Sequence, residues 1–137
     1  MVWHAPAGAP QHRVKTGQKV NTMVQYETTL ETLEKMRAES MTAGGEKKIA
    51  AQHRKGKLSA RERVDLLLDD GSFEEFDVLK TGRGGALGAE ALYPGDGVVT
   101  GHGNIDGREV FVFSQDFTVI GGSLGEAHSQ KICKVMD

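Results

Sequence analysis

The chain has 137 residues, of which 38% are hydrophobic and 26% charged, and its formal net charge is -2. This profile is that of an ordinary folded domain with one hydrophobic core. It excludes the strongly basic surface that dominates nucleic-acid affinity, so we expect no nucleic-acid partner. No run approaches the ~20 apolar residues of a membrane-spanning helix, so no membrane partner is expected either. The single cysteine, Cys133, has no second thiol for an internal disulfide, which favours a reducing compartment such as the cytoplasm.

Residues 1–25 are predicted to be a disordered tail. The first acidic residue is Glu27, and the segment before it contains Arg13, Lys15 and Lys19 together with two prolines and two glycines. A basic leader of this kind also resembles an organelle transit peptide, which would place the protein in the mitochondrial matrix. It lacks the serine-rich amphipathic character of such peptides, so the tail is the preferred interpretation.

Residues 26–70 are predicted to form a helical N-terminal extension. Its first helix is indicated by Tyr26, Leu30 and Leu33, which have the spacing of one helix face. The pair Gly44-Gly45 is predicted to end this helix, because glycine readily adopts the left-handed conformation found after helix C-termini.

A second helix is predicted to begin at Ser59-Ala-Arg-Glu62. This is a capping box, in which the serine side chain accepts a hydrogen bond from a helix N–H and the glutamate reaches back to the serine N–H. Three apolar residues are predicted to form its buried face: Val64, Leu67 and Leu68.

A basic block lies immediately before an acidic one. Five lysines and arginines fall between residues 47 and 57, and six acids between residues 65 and 77. Two solvated faces that pair with each other are a better explanation than a ligand site.

Residues 71–137 are predicted to begin a further domain that is rich in glycine. Twelve of the 18 glycines lie between Gly82 and Gly125. The part from Thr81 to Gly97 has no periodicity, so it is predicted to be a long mobile loop.

The stretch 98–114 predicts a β-hairpin. The two predicted strands, Val98 to Ile105 and Arg108 to Ser114, flank Asp106-Gly107, a dipeptide that supplies the positive φ angles of a tight hairpin turn. In the second strand, valines alternate with phenylalanines, so both faces are apolar and both are expected to be covered in a layered fold. The four residues are Val110, Phe111, Val112 and Phe113.

The segment from Ser114 to Glu126 predicts a strand that leads through Gly121-Gly122 into a helix. The sequence Ser123-Leu-Gly-Glu126 has the spacing of a second capping box. Small residues at such a turn let a ligand approach the backbone and meet N–H groups at the helix start. A turn that only packs helix on strand explains the same glycines, and it is favoured on spacing alone. Three apolar residues are predicted to mark the helix face: Leu124, Ile132 and Val135.

Nucleotide motifs and metal sites are not indicated by the sequence. Gly56-Lys-Leu-Ser59 resembles the end of a P-loop, but the required upstream glycine is replaced by Ala51. The five histidines lack metal-binding spacing. His128 is interpreted as a solvated helix residue rather than a general base, and Cys133 as a helix residue rather than a nucleophile.

Three longer stretches together resemble the acyl-CoA carboxyltransferase family. They are AQHRKGKLSARERVDLLLD from Ala51 to Asp69, PGDGVVTG from Pro94 to Gly101, and FSQDFTVIGGSLGE from Phe113 to Glu126. Three long motifs in order are far more specific than one short motif. The family includes the β subunits of propionyl-CoA and acetyl-CoA carboxylases, the carboxyltransferase of transcarboxylase, and subunits of decarboxylases acting on methylmalonyl-CoA. The resemblance is strongest to the propionyl-CoA carboxylase members.

This resemblance implies a crotonase-like (ClpP/crotonase) α/β fold, of which residues 71–137 would supply the N-terminal portion. It also implies transfer of the carboxyl group of carboxybiotin to the α-carbon of propionyl-CoA or a similar short acyl-CoA. The biotin would be carried by a partner α subunit or carrier protein, and the subunit would be a homo-oligomer. The backbone donors that stabilise the oxyanions in this family lie in turns without a counterpart here, so the chain alone is expected to be inactive.

The resemblance assigns the strand-to-helix turn to the acyl-CoA groove, with backbone amides more important than side chains. The candidate groove residues are Phe117, Thr118, Val119, Gly121, Gly122 and Ser123. No catalytic residue and no metal ligand is assigned.

Two alternatives stay open at this point. One is a subunit of a methylmalonyl-CoA decarboxylase or a transcarboxylase, because the residues that shape the acyl pocket are expected beyond Asp137. The other is a non-enzymatic assembly fragment of a split or truncated subunit, because the last predicted helix reaches Asp137 without a residue that ends it.

Overall fold

The computed structural model describes the backbone of residues 16–82 and 92–137, and the side chains of residues 26–82 and 92–137. Two compact units divide between Thr32 and Leu33. Within the described ranges, no helix is long and apolar enough to cross a bilayer. The helices and strands, in chain order, are α1 Thr16–Thr42, α2 Glu46–His53, α3 Ala60–Leu67, β1 Glu74–Phe76, β2 Val98–Ile105, β3 Arg108–Gln115, a 3-10 turn Ile120–Gly122, and α4 Glu126–Met136.

Helix α1 begins at Thr16, ten residues before the predicted start at Tyr26. Residues 16–25 are therefore helical where a disordered tail was expected, and residues 1–15 lie outside the described residues. No proline interrupts the chain after Pro10 until well beyond α1, so nothing stops the helix from extending backwards. At the other end, α1 ends at Thr42, just before the predicted glycine pair. The positive φ angles there are at Ala43 and Gly45, so an alanine takes the left-handed position after the helix and only one of the two glycines has a positive φ angle.

The capping box of α3 is confirmed. Ser59 Oγ accepts a hydrogen bond from the Glu62 N–H at 3.3 Å, and Glu62 Oε2 accepts one from the Ser59 N–H at 2.7 Å. The buried face differs from the prediction, since Val64 and Leu68 are buried but Leu67 is 53% exposed. The residues that face the core repeat every four positions from Ala60, and Leu67 lies beside that stripe.

The three strands form one antiparallel sheet in the order β1-β2-β3. The predicted hairpin is confirmed: β2 and β3 pair from Val98↔Gln115 to Ile105↔Arg108. The turn has positive φ angles at Asp106 and Gly107, as the dipeptide predicted. The carboxylate of Asp69 accepts hydrogen bonds from the N–H groups of both turn residues, at 3.0 and 2.8 Å. The hairpin is thereby tied to the end of α3.

The two faces of the sheet are covered unequally. The face that carries the two valines of β3 packs against α3. On the opposite face, α4 lies near the end of β3, where Gln115 approaches His128 at 3.4 Å. Phe111 and Phe113 on that face stay 58% and 47% exposed. Neither face is therefore fully covered as expected: the valine face is partly buried against α3, and the phenylalanine face is more exposed.

The acidic and basic blocks were expected to pair with each other. None of the ion pairs in the described part of the chain joins an acid of one block to a cation of the other. Glu75 of the acidic block binds Arg61 at 2.6 Å, and Asp77 binds Lys134 at 3.0 Å. Lys48 of the basic block donates instead to a main-chain carbonyl. Packing of α3 and α4 on the sheet places Arg61 and Lys134 next to these acids, so the acids pair with them and not with the basic block.

The predicted mobile loop from Thr81 to Gly97 falls mostly outside the described residues, which omit 83–91. Near its C-terminal end, the Gly95 N–H donates a hydrogen bond to the carbonyl of Lys80, the residue just before the loop, at 2.9 Å. The mobility of the loop stays a prediction.

Candidate functional site

The candidate site is the segment that leads from the end of β3 at Gln115 to the start of α4 at Glu126. Three consecutive residues in it have positive φ angles: 45° at Ile120, 63° at Gly121 and 80° at Gly122. Left-handed backbone is costly for a residue with a Cβ atom, so glycine is favoured at this bend. The bend connects β3 to the start of α4.

The first part of the segment is held by a buried carboxylate. Asp116 Oδ1 accepts hydrogen bonds from the Thr118 N–H at 2.8 Å and from the Thr118 hydroxyl at 2.6 Å. The same hydroxyl accepts a hydrogen bond from the Gly44 N–H at 3.1 Å, and the Thr118 carbonyl accepts one from Lys48 Nζ at 3.0 Å. A Cβ atom on Gly44 would lie 2.2 Å from that carbonyl oxygen, so only glycine fits there. The helical extension therefore fixes the position of the segment.

The six predicted groove residues divide into an inner and an outer set. The side chains of Thr118 and Val119 are buried, and the Thr118 hydroxyl is already hydrogen-bonded. The backbone groups of these two residues are engaged as well. Asp116 accepts hydrogen bonds from both N–H groups, and the carbonyls accept from Lys48 and from the Gly122 N–H, so neither residue offers a free polar group to a ligand. The outer set consists of Phe117, Gly121 and Ser123, which are exposed, and Gly122, which is half-buried. These four residues share one surface region, whereas their role as groove residues stays a prediction.

The capping box predicted at Ser123 is not formed. The N-cap of α4 is Gly125, which supplies no side-chain hydrogen bond. Asp96 takes over this function from the end of the glycine-rich loop, because its Oδ2 accepts a hydrogen bond from the His128 N–H at 2.8 Å. The helix start expected to be free for a ligand is thus partly occupied by a carboxylate of the chain itself. Leu124 precedes the helix and is 59% exposed, so it does not belong to the buried face.

The buried face of α4 carries two ionisable side chains that the sequence did not reveal. His128, predicted to be solvated, is 1% exposed, and Lys131 is 0% exposed. Burial lowers the pKa of His128, while the nearby Asp96 carboxylate opposes this shift. His128, Lys131 and Val135 have the spacing of one helix face, which is the signal in the sequence. Charged residues on such a face are usually assigned to the solvent side, so this signal was missed.

Lys131 is held by main-chain oxygens. Its ammonium donates to the Gly95 carbonyl at 2.9 Å and to the Val98 carbonyl at 2.6 Å. Burial lowers its pKa to about 8, against the partial opposition of Glu75 and Asp77.

An open cavity of about 290 Å³ lies beside the segment. Its walls are mostly apolar, with one cation: Arg63 donates to the Gln115 carbonyl and lies 5.8 Å from the centre of the Phe117 ring. In residues 26–82 and 92–137, no group of three His, Cys, Asp or Glu side chains is suited to hold a metal ion. The lining residues are Arg63, Val64, Leu67, Val112, Phe113, Ser114, Gln115 and Phe117.

Comparisons with known proteins all point to one family. A family model described as the carboxyl transferase domain matches residues 51–137. The propionyl-CoA carboxylase beta chain of Roseobacter denitrificans is 62% identical over 109 residues, which are 79% of this chain and 21% of that protein. The propionyl-CoA carboxylase carboxyltransferase subunit of Haloferax mediterranei is 57% identical over 112 residues, which are 81% of this chain and 22% of that protein. The mitochondrial propionyl-CoA carboxylase beta chain of Homo sapiens is 56% identical over 110 residues, which are 78% of this chain and 20% of that protein.

Solved structures agree with these relatives. A transcarboxylase 12S hexamer, with methylmalonyl-coenzyme A and methylmalonic acid bound, has a TM-score of 0.74 and 45% identity, and the match covers 80% of this chain and 22% of that one. A single-chain, multi-domain long-chain acyl-CoA carboxylase has a TM-score of 0.70 and 29% identity, covering 80% of this chain and 12% of that one.

These matches confirm the predicted fold class, a partial crotonase-like α/β fold of the carboxyltransferase type. The chain belongs to the carboxyl transferase domain family. It spans about a fifth of the length of the curated relatives that it matches.

Proposed function

We propose that the chain is part of the carboxyltransferase component of a biotin-dependent acyl-CoA carboxylase. The reaction is transfer of the carboxyl group of carboxybiotin to the α-carbon of propionyl-CoA or a similar short acyl-CoA. The observation that carries this proposal is the 62% identity to a propionyl-CoA carboxylase beta chain over 79% of the chain.

Within that reaction, the segment from β3 to α4 contributes one wall of the acyl-CoA groove. Its support is the exposure of Gly121 and Ser123, next to the exposed Phe117 ring. The Ser123 N–H itself donates to the Ile120 carbonyl at 3.2 Å. Glycines at a bend let a ligand reach main-chain N–H groups, and a thioester carbonyl needs such donors. The buried Asp116 holds the bend in place, so these donors would be fixed before substrate binds.

The partners follow from the same proposal. Carboxybiotin reaches the site on an α subunit or a carrier protein, and the complete subunit is a homo-oligomer. The hexameric transcarboxylase 12S neighbour supports an assembly of this kind.

A transcarboxylase or a methylmalonyl-CoA decarboxylase subunit is the second candidate. The structural likeness to transcarboxylase 12S favours it, with 45% identity and methylmalonyl-coenzyme A in that structure. Propionyl-CoA carboxylase is preferred because the identity to its beta chains is higher, up to 62%.

Complementation tests the proposal. The 137-residue chain is mixed with a polypeptide that covers the remaining part of the Roseobacter denitrificans relative. Transfer of ¹⁴C-carboxyl from a carboxybiotin-loaded carrier to propionyl-CoA is measured for the mixture and for each part alone. We expect transfer by the mixture and none by the 137-residue chain alone, because losing even one preorganised oxyanion donor costs about a hundredfold or more in rate.

Turnover by the chain alone would contradict the expected dependence on further domains. A mixture that assembles but transfers nothing to any short acyl-CoA would contradict the proposed function. A mixture that accepts only methylmalonyl-CoA as carboxyl donor would favour the second candidate.

A further inference from the structure

Lys131 is a buried cation that the proposed function leaves without a role. It is 0% exposed, and both of its hydrogen-bond partners given above are main-chain carbonyls, of Gly95 and Val98. Moving a charged ammonium out of water is costly, and two neutral carbonyls compensate for this less well than a carboxylate does. An apolar side chain would fill the same space without that cost. The lysine therefore supplies two hydrogen bonds that hold the backbone in place, which an apolar residue could not do.

That effect falls on the turn from Pro94 to Gly97, at the end of the glycine-rich loop. Lys131 binds the Gly95 carbonyl within this turn and the Val98 carbonyl at the start of β2, and the Asp96 carboxylate caps α4 at the His128 N–H. The Lys131 side chain and the His128 backbone N–H thus hold the turn against α4.

The same turn contacts the strand-to-helix segment on its other side. The Gly97 carbonyl accepts a hydrogen bond from the Asp116 N–H at 2.8 Å. Gly97 has a φ of 72°, and a Cβ atom on it would lie 3.0 Å from the Cβ atom of Val119. The turn is therefore packed between α4 and the segment without space for a larger residue.

We propose that Lys131 is a positioning residue, which fixes the bend at 117–123 by holding the turn Pro94–Gly97 between α4 and that bend. This inference rests on the proposed function in one respect, since it takes the bend to be part of the acyl-CoA groove. Lys131 itself does not touch the substrate. Its substitution changes how firmly the groove backbone is held.

The protonation of Lys131 supplies a distinctive signature. Opening of the turn would hydrate the ammonium and return its pKa from about 8 to its ordinary value of 10.5. The open state then binds more protons than the closed state between these values, so closure becomes more favourable as the pH rises from 8 to 10.5. The charged groups that act on Lys131 are Glu75, Asp77 and Asp96, which favour its charge, and Arg61, which disfavours it, while His128 lies on its own helix.

Hydrogen–deuterium exchange of the 137-residue chain tests the coupling. Deuterium uptake is followed in peptides covering 94–98, 117–123 and the hairpin, for the wild type, Lys131→Met and Lys134→Met. Lys134 is the matched control, because it is one turn further along α4 and its ammonium binds Asp77 at the surface. We expect Lys131→Met to remove the ammonium donor from the buried Val98 carbonyl and to leave the Gly95 carbonyl with the Val98 N–H alone. Uptake should then rise about tenfold in 94–98 and 117–123 together. Lys134→Met should raise uptake in neither.

A rise confined to 94–98 would overturn the proposal, because the turn would then not control the bend. If Lys131→Met unfolds the whole chain, the pH dependence of exchange in the wild type tests the proposal instead. After correction for the intrinsic pH dependence of exchange, protection of both peptides should rise about twentyfold between pH 7.5 and 9.5. Protection that rises in one peptide alone, or in neither, would also overturn it.

A kinetic measurement links the coupling to substrate. In the complemented subunit described above, Lys131→Met should raise KM for propionyl-CoA about fivefold with kcat changed less than about twofold, since it disturbs binding geometry and no reacting group. Unchanged KM together with coupled exchange would restrict the role of Lys131 to structure and overturn its function in positioning the groove. Absence of transfer by the complemented wild type would count against the proposed function alone, because the exchange experiment does not depend on it.

Discussion

Two helices of this chain are preceded by the same four-residue pattern, and only one of them uses it. Ser59-Ala-Arg-Glu62 forms a capping box with both expected hydrogen bonds. Ser123-Leu-Gly-Glu126 forms neither, and the N-cap of α4 is Gly125, two residues after Ser123. A cap is stable only where no better acceptor competes for the same N–H groups.

The competing acceptor at α4 is Asp96, which is far from the helix in sequence. Its carboxylate is charged, and hydrogen bonds to a charged acceptor at a helix N-terminus are stronger than those to a hydroxyl. Near α3, the side chain of His53 strengthens the local box instead, at 2.8 Å from Glu62 Oε2. A local motif therefore determines where a helix starts only when tertiary structure brings no competing acceptor to the same N–H groups.

The largest effect is expected for Asp96→Ala, which removes the distant cap. Asp96 also has a φ of 48°, a conformation that aspartate tolerates better than alanine. We expect a loss of about 2 kcal/mol in the free energy of unfolding, from the lost cap and the added strain. Urea denaturation followed by circular dichroism measures it. The control Asp96→Asn keeps an acceptor and should lose less than half as much, and equal losses in both variants would contradict the capping role.

A smaller loss is expected for Ser59→Ala, which breaks the local box. The Ser59 hydroxyl is the acceptor of the Glu62 N–H, and its removal should cost about 1 kcal/mol. The same urea denaturation measures this loss. If Ser59→Ala proves more damaging than Asp96→Ala, the local cap would be the stronger of the two, and the comparison would be reversed.

The local box also predicts a pH dependence at Glu62. The hydrogen bond from the Ser59 N–H, followed by that from His53, lowers the pKa of Glu62 from 4.5 to about 2. Because the folded pKa is the lower one, this carboxylate stabilises the fold above about pH 4.5, and the contribution is lost as the pH falls towards 2. A ¹³C NMR titration of the Glu62 carboxyl should give a midpoint near 2. A midpoint near 4.5 would indicate that the box opens in solution.

The smallest effect is expected for Ser123→Ala. Its hydroxyl does not cap α4, so the change in the free energy of unfolding should stay within about 0.5 kcal/mol. A loss as large as that of Ser59→Ala would mean that the second capping box forms in solution after all. The double variant Ser123→Ala with Asp96→Ala sharpens this test, because the Ser123 hydroxyl could cap α4 only when the competing Asp96 carboxylate is absent.

Features that depend on neighbouring residues were predicted well from the sequence. The Asp106-Gly107 turn needs only positive φ angles at two adjacent residues, and the Ser59 capping box needs only its own four residues. Three motifs in order also identified the family, because such similarity does not require knowledge of the contacts. The groove residues and the activity of the complete protein remain predictions.

Tertiary structure decided the features that depend on distant residues. His128 and Lys131 look like solvent-facing residues of a helix, and only the packing of α4 on the sheet buries them. The N-cap of α4 comes from residue 96, and the segment between β3 and α4 is held by Gly44 and Lys48 from the helical extension. A carboxylate, an ammonium or a carbonyl binds whichever partner the fold brings within about 3 Å, and separation along the chain does not disclose that distance.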